Sequence, residues 1–184
     1  MRYHGGVIIY TERTGSGLQQ YGITIPVQDE RASRVFETLL ADPELAARRE
    51  QWHRRHSGER IGRDDLLRAH SPDFVQRLFS PRLEEEVVRA YELRDAEGRY
   101  NRYDPRLASK PLAQILDRAL YNASGTYQSC RAALEGGFGF YFGGGAHHAQ
   151  RDYGKGFCLI NDVVVALRRI QAEGRARHAW VVDV

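Results

Sequence analysis

The sequence predicts an α/β fold with a mainly parallel sheet, and three observations lead there. Short apolar, β-rich runs stand at residues 7–10 (VIIY), 138–142 (FGFYF) and 179–184 (AWVVDV). Helical patterns fill the long intervals between them, and glycine-rich or proline-containing turns mark the changes of period. Strands that alternate with helices favour parallel pairing, because parallel neighbours need a long crossover connection.

The run VIIY is a buried strand, ended by the turn-forming Thr14-Gly15-Ser16-Gly17. Residues 29–41 place Val35, Leu39 and Leu40 on one helical face. A second helix, rich in arginine, is expected over 44–56. Asp64 and Asp65 open a short helical turn with Leu66 and Leu67. Ser71 then acts as N-cap, Pro72 takes the first helical position and Asp73 supplies an acid in the first turn. That start points Phe74, Val75 and Leu78 at the core. A helix over 84–93 leads into a polar loop at about 95–111. Residues 112–134 read as a long helix in which Ser124-Gly125 is a break or a close packing point. The last helix, 162–171, turns Val163, Val164, Leu167 and Ile170 inward and stops at Glu173-Gly174. The run 179–184 is expected as a second buried strand.

A chain of 184 residues suits one domain with a sizeable core. Its composition, 42% hydrophobic and 28% charged, is globular, and a net charge of +3 does not by itself imply a polyanionic partner. Cys130 and Cys158 are too few and too far apart for a disulfide framework and fit a reducing compartment. No segment is long and apolar enough for a signal-peptide core or a membrane span, so a cytoplasmic protein without a membrane partner is expected. The arginine-rich RREQWHRRHSGER carries His53 and His56 three residues apart, and it reads as a solvated helix face rather than a metal or nucleic-acid site.

The chemistry concentrates in GGGAHHAQRDYGKGFCLIND, residues 143–162. In an extended strand His147 and His148 would point to opposite faces, so they share a site only if the backbone bends. The surrounding glycines permit that bend. Paired imidazoles can divide the work of base and acid near neutral pH, and two exposed loop histidines are the plainer alternative. Gly154 and Gly156 flank Lys155 and allow a second sharp turn, from which Phe157 emerges as an aromatic wall near the histidines. Cys158 is read as a packing residue. Asp183 follows four apolar residues and is costly to bury unless it pairs with a cation or a histidine.

The same block, followed by a helix and WVVDV, resembles the histone deacetylase superfamily, which includes acetylpolyamine amidohydrolases and acetoin-utilisation proteins. GGG-x-HH with a glycine bend and GFC is most like the class IV-like deacetylases. VIIY, DLLRAHSPDFVQRL and SGTYQSCRAAL match more loosely in family order. The resemblance implies the three-layer arginase/deacetylase α/β fold and a zinc hydrolase that removes acetyl from an acetylated lysine or amine. It also implies that residues 1–184 form the N-terminal part of a single deacetylase-like domain. His147 and His148 match the proton-transfer pair, Gly156 and Phe157 the lining of the acyl tunnel. Asp183 matches the first aspartate of a D-x-D-x-H segment, which orients the first histidine and contributes to a monovalent-cation site, with potassium as the expected ion. Asp104 resembles an aspartate at the rim of the site. The family's zinc ligands and carbonyl-polarising tyrosine would follow Val184. No zinc ligand is assigned within these residues, so the chain alone is expected to be inactive. A non-catalytic binding or assembly module is the alternative reading. A sheet that stops here would also leave an open edge, and either self-association through that edge or a companion segment that covers it is expected.

Overall fold

The computed structural model describes residues 6–11, 17–25, 31–57 and 59–183. The turn expected at 14–17 falls mostly outside them, as do the first residues of the helix expected from 29 and the last of the run expected to 184. The sheet has three short parallel strands, β1 (Val7–Ile9), β2 (His53–Arg54) and β3 (Gly139–Tyr141), in the order β2-β1-β3. Ile8 lies opposite His53 on one side and Phe140 on the other.

Helices cover both faces of the sheet. The long α7 (Ile115–Gly136) brings Ala132 onto Val7 and Ile9, with the Tyr141 ring beside them. Tyr10 just beyond β1 turns the other way and meets Phe36 of α1 (Arg31–Ala41), ring centroids 4.6 Å apart. Phe36, rather than Val35, is the buried anchor of α1, and Val35 is 48% exposed.

The arginine-rich segment does not form one helix. It breaks into α2 (Pro43–Ala47), capped by the Asp42 side chain, and α3 (Arg49–Trp52), and then enters β2. His53 and His56 therefore do not share a helical face. His53 accepts from Arg49 Nε (3.2 Å) and donates to the Tyr10 carbonyl (2.9 Å), while His56 lies flat on Tyr121.

The principal core lies beyond the sheet, where α5 (Pro72–Leu78), α6 (Leu83–Ala90), α7 and α8 (Asp162–Ala172) converge after the short turn of α4 (Arg63–Leu66). Ser71 caps α5 by accepting from the Phe74 N–H, and Phe74, Val75 and Leu78 are fully buried, as the sequence requires. Ser124-Gly125 is a packing point, not a break. The Ser124 hydroxyl bonds to Leu120 O and accepts from Ile61 N, and the Tyr141 ring fills the space a side chain at 125 would need.

Of the run expected as a strand at 179–184, the described residues 179–183 form no strand pairing with any other described residue. Trp180 is 94%, Val181 57% and Val182 78% exposed. A strand exists only through a ladder with a neighbour, and no described residue provides one on that side.

Candidate active site

The site is built from the start of α8. Asp162, its first residue, is 1% exposed and accepts from three donors: the Thr126 hydroxyl on α7, the Gly145 N–H (3.0 Å) and the Ala146 N–H (2.6 Å). The glycine run after β3 is thereby pinned between α7 and α8. Gly144 has φ +79°, and a β-carbon there would collide with the Asp162 carboxylate and the Thr126 hydroxyl. Only glycine lets the loop come so close.

This anchorage delivers His147 and His148 in a turn, with ring centroids 4.1 Å apart. The backbone bend that the dipeptide needs is present. His147 has Nδ1 2.8 Å from the Gly145 carbonyl and Nε2 3.4 Å from Asp183 Oδ2. A neutral ring has one N–H to give, so two acceptors compete for it. Asp183 is thus beside a histidine, although its side chain is 73% exposed instead of buried within a strand. Gly156, at φ +57°, backs His148 so closely that a β-carbon would lie 3.0 Å from His148 Cβ and Cγ. Phe157 follows in the left-handed region (φ +63°), fixed by its N–H to the Ala90 carbonyl (2.9 Å), and the residue is 40% exposed.

The loop is also held from behind by residues whose part the sequence did not disclose. Asn161 caps α8 through Val164 N and donates its amide to His147 O (3.0 Å) and Ala149 O (3.1 Å). His70 is buried between them. Its Nε2 accepts from the Asn161 N–H (3.1 Å), which leaves Nδ1–H to donate to Gln150 O (2.9 Å). Burial holds the His70 pKa below its ordinary value, against the opposing pull of the Gln150 and Arg151 carbonyls. Ser71 N and Arg77 Nη2 bond to the carbonyls of Arg151 and Asp152, so α5 grips the same loop. An Asn-Asp pair at the start of a helix was the one local signal of this anchorage.

Cys158 is buried, and burial pushes its thiol pKa up, which suits packing and not nucleophilic chemistry. Asp104 caps a 3₁₀ turn at Pro105–Leu107 and pairs with Arg106 at 2.8 Å, which holds its carboxyl below the usual range.

The model of the histone deacetylase domain matches residues 25–184, most of the chain. The chain belongs to the histone deacetylase domain family. It is also similar to an uncharacterized protein of Picosynechococcus sp., 40% identical over 72 residues, which are 39% of this chain. The matched part spans about a quarter, 24%, of that curated relative.

Deacetylase-family activity is generally zinc-dependent, and a catalytic zinc takes three protein ligands. Among the described residues no three His, Cys, Asp or Glu side chains converge as such a set. His147 and Asp183 supply two groups that face each other at 3.4 Å instead of a common point. The described residues of this deacetylase-family chain do not by themselves fit a zinc centre. Among them, no helix is long and apolar enough to cross a membrane.

Proposed function

We propose that this chain supplies the acid–base and tunnel-wall part of a zinc-dependent deacetylase site acting on an acetylated lysine or amine. The observation that carries the reading is the adjacent pair His147 and His148, their rings tilted at 48° to each other, with Asp183 on one ring and Gly156 against the other. The two rings are not equivalent. No hydrogen bond reaches the His148 ring from any described residue, so it is free to take a proton from an attacking water. His147, set between Gly145 O and Asp183, is the ring placed to hold a proton and return it to the leaving amine. Phe157 offers an apolar face for the acyl chain beside Gly156.

In this reading residues 1–184 are the N-terminal part of one deacetylase-like domain, which is supported by the uncovered side chains of Trp180, Val181 and Val182. With no zinc ligand set among its described residues, the isolated chain is expected to release no acetate from an acetyl-lysine peptide in the presence of zinc. Chelator-sensitive turnover by the purified chain would overturn that. Binding should survive without turnover: Nε-acetyl-lysine amide is expected to shift the NMR signals of His148 and Phe157, and unmoved signals would refute the site.

The exposed run 180–182, together with Phe138 and Phe140 at 49% and 45% exposure, favours a second reading as an assembly module. Strictly monomeric sedimentation across a wide concentration range would exclude it.

A further inference from the structure

Among the described residues three non-glycine residues have positive φ: Glu92 (+54°), Arg102 (+61°) and Phe157 (+63°). They come from separate stretches of chain, after α6, within the polar loop and in the GKG bend, yet they meet. Arg102 Nη1 is 3.9 Å from Glu92 Oε2, and the Arg102 guanidinium lies 5.7 Å from the centroid of the Phe157 ring. The left-handed region is unfavourable for side chains of this size, and such residues gather where the surrounding structure holds a functional geometry. Here they place a cation on the aromatic wall itself.

That cation is weakly committed. Its contact with Glu92 is at the limit of an ion pair, and the two side chains are 44% and 50% exposed. A guanidinium prefers a bidentate carboxylate at hydrogen-bond distance. The aspartate expected at the rim, Asp104, is occupied by Arg106, so the charge that touches Phe157 is positive.

We propose that Arg102 is a specificity-determining residue that selects acetylated amines carrying a carboxylate close to the acyl chain, with Glu92 as the internal competitor displaced by that carboxylate. This rests on the reading of Phe157 as the acyl-chain wall. The carboxylate is either the α-carboxylate of a free acetylated amino acid or an acidic side chain flanking acetyl-lysine in a peptide.

The test titrates the whole chain with Nα,Nε-diacetyl-lysine, its neutral α-methylamide and the cationic N-acetylputrescine, following the Phe157 amide and the Arg102 Nε–H by NMR. The carboxylate probe should bind about two- to fivefold more tightly than the methylamide, the range of one exposed charge pair, with N-acetylputrescine weakest. Arg102→Gln keeps side-chain length and should abolish the difference, and Glu92→Gln should widen it. A terminally blocked Glu-acetyl-lysine-Glu peptide separates the sources: tighter binding than diacetyl-lysine assigns the carboxylate to a peptide flank, weaker binding to the free amino acid. Equal affinity of all three small probes, or an unchanged preference in Arg102→Gln, overturns the role of Arg102 and leaves the wall intact. If no probe moves Phe157, the wall reading fails and this inference with it.

Discussion

Asp162→Asn is the most informative single perturbation of the loop that carries the histidines. The native carboxylate is 1% exposed and accepts from Thr126, Gly145 N and Ala146 N. Hydrogen bonds to a charged acceptor contribute roughly 1.5–3 kcal/mol each, and a buried donor left unpaired costs about 1–3 kcal/mol. An amide retains one acceptor oxygen and turns its NH₂ toward at least one of the same donors. Losing one such bond and leaving its donor unpaired gives an expected destabilisation of about 3 kcal/mol. For a chain of this size that corresponds to a fall in Tm of roughly 6–12 °C. Urea unfolding gives the energy, and amide exchange at Gly145 and Ala146 shows whether the loop has come away from α8. Thr126→Val removes one donor and keeps the charge, so its cost should be smaller, about 1 kcal/mol. A stability for Asp162→Asn within 0.5 kcal/mol of the parent, with Gly145 and Ala146 still protected, would refute the view that this carboxylate holds the loop.

Arg77→Ala should cost about 2–3 kcal/mol in urea unfolding, because it strips the 2.7 Å hydrogen-bonded partner from Glu86, whose side chain is 0% exposed, and leaves only the longer 3.6 Å ion pair of its second oxygen with Arg89. Replacing both residues by apolar ones of similar size should recover most of the loss. Gly156→Ala must hold φ +57° with a β-carbon 3.0 Å from His148, and is expected to cost about 1–2 kcal/mol and to move the His148 ring signals. Unmoved signals would contradict the packing of Gly156 on His148. His70 gives the pH dependence: its folded pKa lies below the unfolded value near 6.5, so the unfolded chain binds the proton first on acidification. Stability should therefore be full above pH 6.5 and decline toward lower pH by at most about 1.4 kcal/mol per unit from this group. A His70→Gln variant with the same decline in urea midpoint would exclude His70 as its source.

What the sequence disclosed followed the range of the interactions involved. The start of α5 was legible because Ser71, Pro72 and Asp73 act within one turn, and the burial of Phe74, Val75 and Leu78 follows from that phase. The strand at His53–Arg54 was hidden because nothing in HR is strand-like without Ile8 opposite it. The phase of α8 was misjudged: Val165 and Ala166 are buried where Val163, Val164 and Leu167 were expected, and only Ile170 agrees. The reason is Asp162, whose bonds to the glycine loop turn the first residue inward and rotate the helix with it. An apolar run such as 179–183 states a preference for pairing but does not provide the partner, hence its exposure. In the site, the bend at His147-His148 and the closeness of Gly156 could be expected from the spacing of glycines. The clamp of His70 on Gln150 and Asn161 could not, since it joins residues eighty and ninety-one positions apart.

The histidine loop is thus fixed by the core behind it, and this bears on how the site would be completed. Asp162, Asn161, His70 and Arg77 all bond to the loop's backbone or to its flanks, and none is among the side chains proposed to touch substrate. A loop held this way has its geometry before any metal or acyl group arrives. The ordering cost is met in folding, so little is left to be spent when the site is completed. The contact that is not built in is the 3.4 Å approach of Asp183 to His147, made by a side chain 73% exposed on an unpaired segment. Burying residues 180–182 under a further layer would dry that contact and strengthen it, since the same charge pair counts for more in a lower dielectric. The Asp183–His147 contact is therefore the feature of this loop that should tighten most when the run around Trp180 is covered.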